Sequence, residues 1–390
     1  MSKKKVKQRQ SLGVKGLGTI YYEASRDRYR GRIQIGEDEN GKIKYKNVFG
    51  KTRDEVIEKL TDIKYQIMSG VIFITKSHVT IGSLGKEINQ EDFDLGVMGE
   101  STFFRRNETL KMMNSLLDIE IQKVTTQQLS DFFKSKINYS QSSINKLCQL
   151  LERIFKEAIK RQIIVNNPMD QFKKPNSKKK KQKIRAMTLE EETNFLLALK
   201  ETNCIHKEQM LISMFTGMRM GEVNALEVKD VDFKNSVIRV RKTITRDKTG
   251  RTAISDSTKT DAGHRTIPMM PDAAKILAQC IGNKKEGLIF LSTKGNPIAT
   301  ETVTTLYRNL IKEYNIQNPI LDGKLNLHSL RHTFATRCIE SGMPPKVLQK
   351  ILGHTDITVT MNTYCDAFDS YTNEHFDIAQ QYMHNNGITY

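Results

Sequence analysis

"LNLHSLRHTFATRCIESGMPPKVLQKILGHTDITVTMNTY", residues 325–364, holds three histidines, two arginines and one tyrosine within forty positions. In the segment SGMPP, a glycine that favours the end of a helix stands just before two prolines that favour the start of another. This order predicts two helices joined by a tight turn. Gly353 ends the second helix and leaves His354 in the following turn. His328 and Arg331 lie three residues apart and share one helix face. We therefore expect His328, Arg331 and His354 to point into one pocket.

The bulk composition predicts two or three domains and a strong positive charge, which suits either polyanion binding or an ordinary soluble surface with many lysines. At 390 residues the chain exceeds one ordinary core, and its formal charge of +18 attracts polyanions through phosphate contacts. No apolar run reaches the roughly 20 residues of a membrane span, and the basic start MSKKKVKQRQ lacks the apolar stretch of a secretory signal. The five cysteines form no CxxC pair, which argues against a disulfide framework. We expect a cytoplasmic protein without a membrane partner, associated with the nucleoid when bound to DNA.

Two basic strands and a helix are predicted near the N-terminus. In RDRYRGRIQI three arginines fall on one strand face, with Tyr29, Ile33 and Ile35 on the other. KIKYKNVF repeats the alternation with three lysines, and the next segment carries apolar residues at helical spacing. Two aligned basic strands suit insertion into a DNA groove, so we favour DNA binding over a merely solvated face. The candidate DNA-binding residues are Arg28, Arg30, Arg32, Lys42, Lys44 and Lys46.

The rest of the chain divides into a helical region, a basic linker and a larger mixed domain. Residues 76–172 read as all-helical, most clearly in SSINKLCQLLERIFKEAIKRQII. Residues 173–186 form the linker; such a like-charged run is usually disordered, and we expect it to touch DNA phosphates. Residues 187–390 combine many helices with a small antiparallel sheet. The fold class is therefore multidomain, mainly α with small antiparallel β-sheets, and residues 1–72 form the three-strand-plus-helix unit. The linker lysines expected at phosphate are Lys178, Lys179, Lys180 and Lys181.

A metal site is the first alternative for the histidines of the opening stretch. His328 and His332 have the HxxxH spacing that two zinc ligands use on a helix. The glutamate that accompanies this spacing in zinc proteases is absent, because position 329 is serine. Arg331 would also press a fixed positive charge toward the cation. We therefore expect no metal.

Phosphate chemistry explains more of the pattern. Two arginines can clamp the non-bridging oxygens of a phosphodiester and stabilise the charge of a pentacovalent transition state. Arg331 supplies one, and Arg219 in FTGMRMGEVNAL is the candidate for the other. Glu222, three residues further on, is placed to orient the Arg219 guanidinium. A tyrosine can attack phosphorus and conserve the bond energy as a phosphotyrosine.

Four sequence boxes resemble those of the tyrosine recombinases, the integrase family of temperate phages and conjugative transposons. These are TGMRMGEVNAL, STKTDAGHRTIPM, HSLRHTFAT and LGHTDITVTMNTY, in the family's order and spacing from about residue 187 to 375. The resemblance implies a mixed α+β catalytic domain, preceded by a helical core-binding domain and an arm-binding domain. The six implied catalytic residues are Arg219, Lys259, His328, Arg331, His354 and Tyr364.

The resemblance also assigns a role to each position. The two arginines clamp the phosphate, His328 assists proton transfer, and His354 hydrogen-bonds the scissile phosphate. Lys259 is the general acid for the 5′-oxygen leaving group, and Tyr364 is the nucleophile that forms a 3′-phosphotyrosine. Neighbouring residues that could compete for the last two roles are Lys242, Lys248, Arg265, Tyr371 and Tyr382.

The implied function is integration, and possible excision, of a mobile element through a Holliday junction. No cofactor is expected, since the energy is stored covalently. The implied partners are duplex DNA with core-type and arm-type sites, three further copies of the chain, and a directionality factor or DNA-bending protein. The tail after residue 366 is expected to form a helix that docks on a neighbouring copy. Two alternatives remain open, a type IB topoisomerase-like enzyme and a non-catalytic DNA-binding regulator.

Overall fold

The computed structural model describes residues 18–37, 43–68, 78–256, 264–358, 361 and 376–388. The chain separates into two compact units, Met1–Lys181 and Gln182–Tyr390. Across the described residues, no helix combines the length and apolar character needed to cross a membrane.

A three-stranded antiparallel sheet and one helix form the N-terminal part of the first unit. The sheet has the order β1-β2-β3, and α1 packs on one of its faces. Ile20, Val56 and Leu60 are fully buried between sheet and helix, with Ile33 beside them. The elements are β1 (Thr19–Glu23), β2 (Arg28–Glu37), β3 (Ile43–Gly50) and α1 (Arg53–Met68).

The register of this sheet corrects one prediction about its basic face. Directly paired residues of antiparallel strands point to the same side, and Arg30 pairs with Phe49 while Ile33 pairs with Lys46. The arginine face therefore receives aromatic and amide side chains from β3. The exposed Lys44 and Lys46 belong to the opposite face, on the side of the apolar residues. The expectation that both strands contribute cations to one face is wrong, because alternation within a strand does not fix its alignment with the next.

Four longer helices form the rest of the first unit. Thr80 and Thr125 each close a capping box at a helix start, which satisfies backbone N–H groups that would otherwise lack partners. The helix predicted in SSINKLCQLLERIFKEAIKRQII is confirmed as α5, in which Leu151 and Ile154 are fully buried. Asp92 of α2 accepts hydrogen bonds from arginines of two other helices. These helices are α2 (Ile81–Asp94), α3 (Glu100–Lys111), α4 (Thr126–Ser135) and α5 (Gln141–Lys160).

The second unit is mainly helical and carries two small antiparallel sheets, ordered β4-β5-β8 and β6-β7. Residues 376–385 are also helical and largely exposed. The strands are β4 (Val231–Asp232), β5 (Val237–Val240), β6 (Lys242–Arg246), β7 (Thr252–Asp256) and β8 (Arg265–Pro268). The helices are α6 (Leu189–Glu201), α7 (Lys207–Thr216), α8 (Met220–Asn224), α9 (Pro271–Ile281), α10 (Thr300–Glu313), α11 (Ser329–Glu340) and α12 (Pro345–Leu352). The predicted fold class, mainly α with small antiparallel sheets, is confirmed.

Helices α7, α11 and α12 of this unit position the candidate residues. The predicted pair of helices is confirmed as α11 and α12, and Gly353 caps α12 in the left-handed conformation. Gly217 ends α7 in the same left-handed conformation, with a φ of 66°. Helix α11 packs against α7 and α12. The ends of α7 and α12 therefore meet over the first turns of α11.

Candidate active site

Arg219 stands at the start of α8, directly after the turn that ends α7. Its backbone N–H donates to Glu222 Oε2 at 2.9 Å, and its Nη1 donates to Glu222 Oε1 at 2.8 Å. Glu222 is only 4% exposed, whereas the Arg219 side chain is 43% exposed. The buried carboxylate therefore orients a guanidinium that still faces solvent, as the sequence predicted for this pair.

Arg331 is buried, and its guanidinium donates hydrogen bonds to two different helix ends. It is 1% exposed, and its Nη1 and Nη2 donate to the carbonyls of Gly217 at 2.8 Å and Leu352 at 2.6 Å. A buried guanidinium needs such acceptors, because an unsatisfied charged donor is costly. The carbonyl groups belong to the ends of α7 and α12, so Arg331 ties the two helix ends together.

His354 follows the cap of α12 and lies beside Arg219. Its backbone N–H donates to Gln349 O at 3.2 Å, and Gln349 Nε2 returns a hydrogen bond to His354 O at 3.0 Å. Arg219 Nη2 donates to Gly353 O at 3.4 Å. This bond brings the start of α8 to the residue preceding His354.

His328 and His332 lie together at the start of α11. Their rings meet edge to face with centroids 4.9 Å apart. His328 lines a cavity of about 330 Å³ together with Arg219 and Arg331. The described residues thus bring together four of the six predicted catalytic side chains, Arg219, His328, Arg331 and His354.

Burial, together with nearby positive charge, lowers the pKa of His354 and of His328. Burial, followed by the charges of Arg331 and Arg219, lowers the pKa of His354 to about 4. Desolvation by the surrounding protein, and then the charges of His332, Arg331 and Arg219, also lower the pKa of His328. Both imidazoles are therefore neutral at pH 7, and each can accept one hydrogen bond and donate another.

Arg265 is a site residue that sequence reasoning did not assign. Its side chain is 5% exposed, and its Nη1 and Nη2 donate to the two carboxylate oxygens of Glu222 at 3.1 and 2.6 Å. Burial alone would raise the pKa of Glu222, but hydrogen bonds and charge from Arg265, then Arg219, lower this pKa to about 2. Position 265 is 43 residues from Glu222. No local spacing signals such a contact.

Three predicted site residues, Lys42, Lys259 and Tyr364, lie outside the described residues. For the metal alternative, the described part of the chain holds no group of three or more His, Cys, Asp and Glu side chains arranged to bind a metal ion.

The exposed face of the N-terminal sheet combines arginine with aromatic rings. Arg28 Cζ lies 4.0 Å from the Phe49 ring centroid, and Arg32 Cζ lies 3.5 Å from that of Tyr45. Arg30 donates through Nε and Nη2 to the side-chain oxygen of Asn47 at 3.2 and 3.0 Å. Stacking orients the guanidinium planes before any ligand arrives.

The basic linker is attached to the helical bundle at its N-terminal end. Ser177 N donates to Gln141 Oε1 at 2.7 Å, and Lys178 N donates to Ile137 O at 2.9 Å. Gln141 Nε2 also donates to Pro175 O at 3.4 Å. For residues 175–178 the expectation of a disordered run is therefore wrong. The predicted lysines Lys178, Lys179, Lys180 and Lys181 follow directly from this attachment.

Known proteins share both the sequence and the fold of this site. Residues 185–370 match the model of the phage integrase family. The transposase of transposon Tn916 from Enterococcus faecalis is 30% identical over 249 residues, which cover 60% of this chain and 61% of that protein. The match thus spans about three fifths of this curated relative.

Two further comparisons cover more of the chain. A XerC-like tyrosine recombinase from Caldanaerobacter subterraneus subsp. tengcongensis is 28% identical over 373 residues, 89% of this chain and 94% of that protein. The solved Tn1549 transposon integrase in complex with circular intermediate DNA is 26% identical with a TM-score of 0.62, covering 77% of this chain and 100% of that one. Residues 185–370 of this chain are therefore similar to the phage integrase family of tyrosine recombinases.

Proposed function

We propose that this protein is a site-specific DNA recombinase that cuts and rejoins duplex DNA to integrate, and to excise, a mobile element. One observation carries the proposal: Arg219, His328 and Arg331 line a single cavity, and His354 lies beside them. Two guanidiniums and two neutral imidazoles suit a phosphodiester that gains negative charge in its transition state.

The chemistry proceeds without an external energy source. The phenol oxygen of Tyr364 attacks phosphorus, and its proton passes to a neutral imidazole, for which His328 is our candidate. The bond from phosphorus to the 5′-oxygen breaks, and Lys259 donates a proton to that oxygen. A 5′-hydroxyl of the partner duplex then attacks the phosphotyrosine and releases Tyr364. Two such rounds pass through a Holliday junction.

DNA recognition beyond the cleavage site is assigned to the first unit. The arginine face of the N-terminal sheet would bind arm-type sites, and the helical bundle with its attached linker would bind core-type sites. Four copies on paired sites, assisted by a directionality factor or DNA-bending protein, would complete the reaction. The Tn1549 transposon integrase has been solved in complex with circular intermediate DNA, which supports DNA as the ligand. No observation favours the topoisomerase-like or regulator alternatives.

Covalent capture tests the proposal. The full chain would be incubated with fragmented host and element DNA and denatured, and the DNA that remains attached would be sequenced. We expect one defined sequence, linked through its 3′-phosphate. Tyr364→Phe should abolish the adduct, because phenylalanine has no nucleophilic oxygen.

Tyr382→Phe is the matched control for this substitution. Tyr382 lies on the helical residues 376–385 and is 66% exposed, so the variant should form the adduct at the wild-type level. Tight DNA binding with no adduct, even on nicked substrates that trap the intermediate, would refute the enzyme and favour a regulator. An adduct that survives in Tyr364→Phe would refute the assigned nucleophile.

A further inference from the structure

Arg265 connects two parts of the candidate site that come from distant positions in the chain. Besides its paired hydrogen bonds to Glu222, its Nε donates to the carbonyl of Ile351 at 2.6 Å. Ile351 lies in the last turn of α12, three residues before His354. One side chain therefore contacts both the carboxylate that orients Arg219 and the helix end that leads to His354.

The Glu222 carboxylate is shared between two guanidiniums. If Glu222 had only Arg219 as a cationic partner, the carboxylate would neutralise the cation that faces the cavity. With Arg265 present, two arginines surround one carboxylate. The cluster of Arg219, Glu222 and Arg265 therefore carries one net positive charge. The side chains of Arg265 and Glu222 are 5% and 4% exposed, so water screens the attraction between their charges only weakly.

The contact of Arg265 with α12 affects His354 rather than Arg219. Arg265 holds the carbonyl of Ile351, and Arg331 holds the next carbonyl, that of Leu352. These two carbonyl groups lie among the last four of α12, which have no partner within the helix. Arginines therefore satisfy both, which fixes the helix end from which His354 projects.

We propose that Arg265 is a positioning residue for strand cleavage, which keeps Arg219 available to the scissile phosphate and holds His354 in place. The proposal rests on the proposed function, because it names a phosphodiester as the group that Arg219 meets. Arg265 itself remains beneath the surface and acts through Glu222 and the end of α12.

Cleavage kinetics of Arg265→Met give the first test. On a nicked duplex carrying the captured sequence, adduct formation should slow by about 100-fold, the effect of losing one oriented charge donor. A neutral methylphosphonate at the scissile position should reduce this defect to less than about tenfold, because a less charged transition state depends less on the arginine clamp. A merely destabilised enzyme would show the same defect on both substrates.

A second substitution tests the charge balance. In Arg265→Met/Glu222→Gln the neutral amide no longer neutralises Arg219, so the double variant should recover at least tenfold over Arg265→Met alone. Arg241→Met is the matched control, since Arg241 Nε donates to Asp230 Oδ1 at 2.7 Å and Asp230 is 2% exposed. This control also leaves a buried carboxylate without its arginine, yet it should form the adduct at close to the wild-type rate.

A measurement without DNA separates this proposal from the proposed function. In the wild-type protein, the NMR signal of the His354 ring should stay at its neutral position down to pH 5, because its pKa is lowered to about 4. In Arg265→Met a nearby cation that lowers the pKa of His354 is lost together with the Ile351 tether, so the signal should titrate at a higher pH than in the wild type. If the wild type forms an adduct but Arg265→Met matches it in rate and in His354 titration, the positioning role is refuted. If the wild type forms no adduct, the proposed function fails, and the His354 titration still decides whether Arg265 holds this residue.

Discussion

At the scale of single residues, the site depends on a glycine that carries no chemistry. Gly217 has a φ of 66°, and a Cβ atom built there would lie 2.5 Å from the ring of Phe334 and 2.9 Å from Leu352. Its carbonyl also accepts a hydrogen bond from the buried Arg331. The close approach of α7, α11 and α12 therefore needs a residue without a side chain at this position.

Gly217→Ala should lower the free energy of unfolding of the second unit by about 2–4 kcal/mol, from left-handed backbone strain and overpacking together. Gly295→Ala is the control, because Gly295 has a φ of 75° but no atom within 4 Å of its added Cβ. This control pays only the backbone strain, about 1 kcal/mol. Because the chain has no tryptophan, urea unfolding would be followed by circular dichroism. Equal losses in the two variants would show that the contact with Phe334 costs nothing.

At the scale of elements, helix ends were predictable, whereas alignments between elements were not. Glycine and proline signals are local, so the boundaries of α11 and α12 follow from a few letters. The register of β2 against β3 depends on pairing between strands, which an alternating pattern leaves open. The contact between Arg265 and Glu222 likewise joins positions 43 residues apart. The sequence therefore identified the residues of the cavity but not Arg265, the buried arginine that contacts Glu222 and the end of α12.

The two faces of the N-terminal sheet give a matched test of DNA recognition. Arg28→Gln/Arg30→Gln should weaken binding to a mixed-sequence duplex and reduce the slope of log K against log salt by about 2, one contact of about 0.9 per arginine. Lys44→Gln/Lys46→Gln removes the same charge from the opposite face and should change the slope by less than about 0.5. The measurement is a titration of affinity against salt. An equal change in both variants would mean that net charge, rather than the arginine face, determines binding.

At the scale of the whole molecule, the basic segment between the two compact units is partly structured. Composition predicted a linker there, because a run of lysines repels itself and buries little apolar surface. Composition could not predict its attachment, which uses backbone groups of the linker and the side chain of Gln141 on α5. Because residues 175–178 are attached to the helical bundle, the position of the first of the lysines at 178–181 on the first unit is fixed.

Limited digestion with trypsin measures how firmly this segment is held. Trypsin cleaves after lysine only when the surrounding backbone opens, so its rate reports the free energy of local opening. Gln141→Ala removes the two Gln141 bonds to the linker, and Ser177→Ala removes the bond that Ser177 Oγ donates to Tyr139 O and the one it accepts from Lys179 N. A net loss of at least about 1.4 kcal/mol should accelerate cleavage at Lys178 and Lys179 at least about tenfold. Gln127→Ala is the control, because Gln127 bonds only Asp131 on its own exposed helix face among the contacts described for it, and it should leave the rate unchanged. Equal cleavage rates in the double variant and the wild type would show that these bonds do not restrain the segment in solution.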